Sequence, residues 1–179
     1  MRHLNILFLD DEVETHFVFE NSFEDHRTFC TVDAKQAFEI IQKEKIDCVV
    51  TDLDLRLSEH AKSFDLMVNG SHFAGQARAF LGKYTPIFLA SGHFRAPEIA
   101  SQLIQAGVIN DFIPKPYGMT EIRKVVFDGV ELLKERYLKD TANVCTIPRK
   151  QLDAVKARLA NLTKIVDSEV DAISADLPV

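Results

Sequence analysis

Short apolar runs alternate along this chain with longer stretches whose apolar residues recur at helical spacing. The short runs are ILFL (6–9), TFCTV (28–32), DCVVTD (47–52), PIFLAS (86–91) and DFIPKP (111–116). Each has strand length and is rich in aromatic or β-branched residues. The first intervening stretch, VETHFVFENSF (13–23), carries Phe17, Phe19 and Phe23 at roughly helical spacing. In DAKQAFEIIQKEK (33–45), Asp33 is an N-cap candidate and Ala37, Phe38, Ile40 and Ile41 form a stripe for burial. Residues 71–82 are helical in pattern, and PEIASQLIQAG (97–107) has Pro at a helix start and Gly just past its end. MTEIRKVVFDGVELLKERYL (119–138) places Ile122, Val125, Val126, Leu132 and Leu133 on one face. Five strand–helix alternations predict an α/β domain with a parallel sheet and helices on both faces.

Composition narrows the class. At 179 residues, 46% hydrophobic and 27% charged, the chain suits one domain plus an extension. A net charge of -6 argues against wrapping nucleic acid. The cysteines Cys30, Cys48 and Cys145 form no CxxC pair and read as reduced thiols, the first two as small core residues. No apolar run reaches membrane-spanning length, and acids follow NILFL where a signal peptide needs small residues. The expected compartment is the cytoplasm.

The strand ends carry the chemistry. Right-handed crossovers bring the C-terminal ends of parallel strands to one edge. Asp10, Asp11, Asp52, Ser91 and Lys115 all fall there. Three carboxylates close together are costly unless a cation neutralises them, and oxygen ligands with open positions suit Mg²⁺. A lysine adds a point charge and a hydroxyl a hydrogen bond. An aspartate beside Mg²⁺, a lysine and a hydroxyl is equipped to become an aspartyl phosphate.

In this order the motifs resemble the CheY-like receiver domain of two-component response regulators, over about residues 3–135. LDDE resembles the acidic pair that holds Mg²⁺ (Asp10, Asp11), VVTDLDL the phosphoacceptor strand (Asp52), FLASGH the strand of the switch hydroxyl (Ser91), and FIPKP the Lys-Pro ending (Lys115). The resemblance implies a flavodoxin-like five-stranded parallel sheet of order 2-1-3-4-5. It implies that Asp52 accepts a phosphoryl group from a histidine kinase or phosphotransfer protein, with Ser91 and Lys115 assisting. It also implies that the Asp54 main-chain carbonyl joins Asp10, Asp11 and Asp52 around Mg²⁺. Phe112 takes the aromatic switch position, and the Lys115–Pro116 bond is expected to be cis. Ser91 and Phe112 would bias a surface made of the fourth helix, fifth strand and fifth helix. Phe112 lacks the phenol of many relatives. Asp54 and His93 take positions that tune the lifetime of the acyl phosphate; an acid at 54 either orders a water or repels the phosphate.

Two segments depart from the family pattern. Leu55 and Arg56 stand where Met-Pro is usual, the Asn69–Gly70 turn comes late, and RLSEHAKSFDLMV (56–68) reads as an insertion of about ten residues. It is expected to shield the acceptor or contact the kinase. The predicted division is a receiver domain over 1–138, a linker over 139–148 and a helical extension over 149–179. The extension carries Leu152, Val155, Leu159, Leu162 and Val166 at spacings of three and four. Five Lys/Arg against one Asp in 149–164, then four acids and no base in 165–179, suit an antiparallel pair. The extension is expected either to form a homodimer through 149–174 or to pack on the receiver domain, and it is too short for a DNA-binding output domain. Two other functions remain: DLDL (52–55) also resembles the Asp-x-Asp of haloacid-dehalogenase-type phosphatases, and a receiver can serve as a phosphorylation-independent scaffold. In those phosphatases the nucleophile lies on the first strand and the acidic pair comes late, the reverse of the order here. The chain is therefore expected to signal rather than to be an enzyme.

Overall fold

In the computed structural model the described residues are 3–55 and 70–144. The chain divides into two compact units, Met1–Tyr137 and Leu138–Val179, and the first of them contains the whole sheet. The elements alternate in chain order: β1 (Asn5–Leu9), α1 (Val13–Ser22), β2 (Arg27–Thr31), α2 (Ala34–Lys43), β3 (Cys48–Asp52), α3 (Gly70–Leu81), β4 (Ile87–Ser91), α4 (Ala96–Gln105), β5 (Asp111–Pro114) and α5 (Met119–Val144). The strands form one parallel sheet of order β2-β1-β3-β4-β5, as the resemblance implied.

Successive side chains on a strand point to opposite faces. Leu7, Leu9, Val49, Ile87 and Leu89 therefore join α2, α3 and α4 residues in one core. Ile6, Phe8, Cys48, Val50, Phe88 and Ile113 join α1 and α5 residues in the other. Local signals start and stop the helices where expected. The Asp33 side chain accepts from the Gln36 N–H, Pro97 sits in the first turn of α4, and Gly107 closes that helix at φ +70°. Arg78, on α3, donates to the carbonyls of Val108, Gly82 and Thr85 and to Asn110 Oδ1, tying the entries to β4 and β5 together.

The helices differ from the sequence reading in three places. Phe19 and Phe23 are buried, but Phe17 is 70% exposed, because only the first two share a face at four-residue spacing. Leu132 is 51% exposed, while Ile122, Val126 and Leu133 fill the core side of α5. The fifth helix continues to Val144 through the stretch read as the start of a linker, for KDTANV (139–144) has no Gly or Pro to stop it. Among the described residues, no helix is long and apolar enough to cross a membrane. The insertion at 56–68, Cys145 and the extension at 149–179 lie outside the described residues.

Candidate functional site

The alternation that builds the two cores also assembles the site. Asp10 follows Ile6 and Phe8, Asp52 follows Cys48 and Val50, and Lys115 follows Ile113 in the same period of two, so all three belong to the α1/α5 face. Register sets their level: Leu9 pairs Thr51 and Ser91 pairs Pro114, so Asp10 and Lys115 lie one step beyond the ends of β1 and β5, and Asp52 is the last residue of β3. Lys115 Nζ reaches Asp10 Oδ2 at 2.6 Å and Asp52 Oδ1 at 2.9 Å. The Lys115–Pro116 bond is cis, as the resemblance implied.

Each carboxylate is held from a second side. The Glu12 N–H donates to Asp10 Oδ1 and the Asp54 N–H to Asp52 Oδ2. Asp10 is 0% exposed, and His16 Nε2 lies 2.7 Å from its main-chain carbonyl. Burial raises the Asp52 carboxyl above the usual range; Lys115 pulls it back in part, while the Asp10 charge pushes with burial. For Lys115, burial disfavours the ammonium, but the hydrogen bonds to Asp10 and Asp52 win and its affinity for the proton rises.

A cavity of about 620 Å³ opens over this trio. Asp11, Asp52, Asp54, Ser91, His93 and Lys115 all line it. The Ser91 hydroxyl accepts from the His93 N–H, which leaves its own hydrogen to donate. His93 Nδ1 accepts from the Arg95 N–H, so a neutral His93 carries its hydrogen on Nε2. Gly92 leaves the mouth open. Phe112 is half-buried and packs on the opposite, α2–α3–α4 side of the sheet.

The arrangement departs from the expected metal set in one respect. Asp10 has Lys115 on one oxygen and the Glu12 N–H on the other, and it does not line the cavity, whereas Asp11 and Asp52 do. Among the described residues, no three acid, imidazole or thiol side chains are grouped as a ready metal cage. That donor set still suits Mg²⁺, which binds through one or two carboxylates plus waters and phosphoryl oxygens rather than in an all-protein cage. Three carboxylates near one ammonium also leave an excess negative charge that a divalent ion would balance.

Four contributors escaped the sequence reading. Gly70 opens α3 against the acceptor strand, and a Cβ there would lie 1.6 Å from the Asp52 carbonyl oxygen. A glycine ending a long insertion was the one available signal. Thr15 and Val18 on α1, and Tyr117 just past the Lys-Pro bond, also line the cavity. Nothing in their local spacing marks them.

No protein-family model matches the chain, and neither does any curated protein sequence. Solved structures do. NtrX from Brucella abortus matches at 25% identity and a TM-score of 0.65 over 78% of this chain, which spans 30% of the length of NtrX. A response regulator receiver domain protein (CheY-like) from Methanospirillum hungatei JF-1 matches at 14% identity and TM-score 0.63, covering 75% of this chain and 99% of its own. The signal receiver domain of an HD domain-containing protein from Pseudomonas fluorescens Pf-5 matches at 17% identity and TM-score 0.61, covering 75% and 99%.

Proposed function

We propose that this chain, a response-regulator receiver domain by fold, is a phosphorylation-dependent signalling receiver of the cytoplasm with Asp52 as its phosphoacceptor. The observation that carries the reading is the Lys115 amine bridging Asp10 and Asp52 beneath an open cavity that Ser91 also lines. Asp52 is held by Lys115 on one oxygen and by the Asp54 N–H on the other, and it lines the space a phosphoryl donor would enter.

In the reaction, an Asp52 oxygen attacks phosphorus, an O–P bond forms, and the bond from phosphorus to the donor breaks. The donor is a phosphohistidine of a histidine kinase or phosphotransfer protein, and its imidazole leaves with the electron pair. Lys115 balances charge on the phosphoryl oxygens while keeping Asp10 in place. Ser91 donates to a second phosphoryl oxygen. Mg²⁺ would be held by Asp11, Asp52 and the Asp54 main-chain carbonyl, with Asp10 behind them, and supplies charge neutralisation to the phosphoryl group. His93 offers Nε2–H to the cavity as a donor, and the Asp54 side chain lies at the same mouth, so both tune the lifetime of the acyl phosphate. The movement of Ser91 toward the phosphate would free space beside Phe112 and bias α4, β5 and α5.

The partner surface is consistent with this. Val18 on α1 lines the cavity, and the exposed Val13 and Phe17 on the same helix and Phe94, next to His93, add apolar surface on which a phosphotransfer protein can seat. The haloacid-dehalogenase-type alternative gains no support: the acidic pair directly follows β1 and Asp52 ends β3, in a sheet of order 2-1-3-4-5. The test is incubation with acetyl phosphate or phosphoramidate and Mg²⁺, followed by intact mass. Wild type gains one phosphoryl group and Asp52→Asn gains none. Phosphorylation that persists in Asp52→Asn, or multiple-turnover hydrolysis of a phosphomonoester, would reject the reading.

A further inference from the structure

The Asp10 carbonyl is satisfied by a side chain rather than by the sheet. Asp10 has no contact with solvent, so each of its polar groups needs a hydrogen bond inside the protein. Its N–H donates to the Thr31 carbonyl, one carboxylate oxygen accepts from the Glu12 N–H, and the other takes Lys115. The chain leaves β1 at this residue, and among the described residues no main-chain N–H reaches its carbonyl. His16 does, with Nε2 at 2.7 Å from that oxygen. A carbonyl only accepts, so Nε2 donates, and it does so whether or not the ring carries a second proton.

The histidine is itself held. It lies on α1 with its ring at 74° to that of Phe8, the centroids 5.6 Å apart, and Phe8 in turn stacks on Phe19 at 4.1 Å. These packing contacts orient the imidazole independently of the hydrogen bond it makes. The Asp10 carbonyl shares a rigid peptide plane with the Asp11 nitrogen. That plane sets the direction in which Asp11 leaves the strand end, and Asp11 is the acid of the pair that lines the cavity. The Glu12 N–H anchors the Asp10 side chain and leaves the peptide plane to His16.

We propose that His16 is a positioning residue of the phosphorylation site, its Nε2–H gripping the Asp10 carbonyl so that the Asp10–Asp11 peptide presents the Asp11 carboxylate to a divalent cation. The inference rests on the phosphoacceptor reading above and adds to it a residue outside the cavity lining. The grip acts on cation binding first and on phosphoryl transfer only through the cation. Its loss therefore raises the Mg²⁺ concentration that the reaction needs and lowers the maximal rate far less.

The experiment compares wild type, His16→Leu and His16→Gln in the full chain. Leucine fills much of the space without a donor, whereas a glutamine amide places an N–H where the histidine Nε2–H was. Three quantities are read: Mg²⁺ affinity by calorimetry, the Mg²⁺ concentration giving half-maximal phosphorylation by acetyl phosphate, and the urea midpoint in EDTA. In His16→Leu, Mg²⁺ affinity is expected to fall about three- to tenfold, the worth of one hydrogen bond, and the half-maximal concentration to rise by the same factor. In His16→Gln most of both losses is recovered. Wild-type Mg²⁺ affinity in His16→Leu would overturn the proposal. Equal losses of affinity in Leu and Gln, tracking a lowered urea midpoint, would assign the effect to ring packing and overturn it too. Wild type that binds Mg²⁺ but takes up no phosphoryl group fails the phosphoacceptor reading instead, and the Mg²⁺ affinities of the two variants still judge the role of His16.

Discussion

One amine holds the acidic edge together. Asp10 has no contact with solvent, and Lys115 is the cation that reaches both it and Asp52. Removing one partner of a buried ion pair leaves an uncompensated charge, which is far more costly than the pair is worth. Lys115→Met is therefore expected to lower unfolding free energy at neutral pH in EDTA by about 3 kcal/mol. Adding Asp10→Asn should recover much of that loss, and urea denaturation of the two singles and the double measures the coupling. A second residue ties stability to pH. His26 is 2% exposed at its side chain, sits in a cage with Phe23, Phe127 and His3, and accepts the Leu4 N–H at Nδ1. Burial lowers its proton affinity; Asp25 opposes that, while Arg123 and His3 add to it. The folded-state value lies below the unfolded one, so below about pH 6.5 the unfolded chain binds more protons and stability falls as pH falls. Above that pH the group contributes no slope. Urea midpoints at pH 7.5 and 5.5 should differ in wild type, and by clearly less in His26→Phe, which has no proton to take up. Neither residue's burial was visible in the sequence: Lys115 was found through its motif, whereas His26 follows a run of acids and reads as part of a solvated turn.

At the scale of elements, glycines mark where helices press closest on the sheet. A Cβ on Gly129 of α5 would lie 2.4 Å from Phe88 Cζ, and Phe88 is locked in the centre of β4. Gly129→Ala gains about 1 kcal/mol of helix propensity but overpacks a rigid ring, which costs about 1–3 kcal/mol. The second effect wins because the ring is walled in on every side, so a lower thermal midpoint is expected. Gly70→Ala meets backbone rather than ring and should push the start of α3 off the end of β3. Its phosphorylation rate is expected to fall at least tenfold while far-UV circular dichroism stays native. Retained wild-type kinetics would show that the α3 start tolerates displacement. These close approaches explain which elements were legible. Strands with period-two runs and caps such as Asp33 and Pro97 carry local signals, and the sequence reading located them within a residue or two. The order β2-β1-β3-β4-β5, by contrast, depends on pairing between distant segments and came from the resemblance alone. The end of α5 was misjudged because breakers mark a helix end, and no Gly or Pro occurs between Gly129 and Pro148.

For the molecule as a whole, the net charge of -6 matters less than where the acids are. Helices cover both faces of the sheet, and Asp10, Asp11, Asp52 and Asp54 gather at one edge against Lys115. The sequence placed Asp10, Asp11, Asp52 and Lys115 at that edge and the resemblance added Asp54, but neither could show that Lys115 engages Asp10 and Asp52 at once, because side-chain reach is not written in spacing. A fold that concentrates like charge at its functional edge is less stable than it could be, and an ion that binds only the folded state returns that stability. Mg²⁺ at about a hundred times its dissociation constant adds about 2.7 kcal/mol by mass action. For a domain of this size that is a rise of roughly 10 °C in thermal midpoint. Sodium chloride at matched ionic strength screens the edge without being coordinated and should give much less. Asp11→Asn and Asp52→Asn each remove a carboxylate facing the cavity. Both variants are expected to start more stable than wild type in EDTA and to gain less from Mg²⁺. Equal shifts from the two salts, or a full Mg²⁺ shift in both variants, would mean that the edge collects counterions without selecting a divalent one.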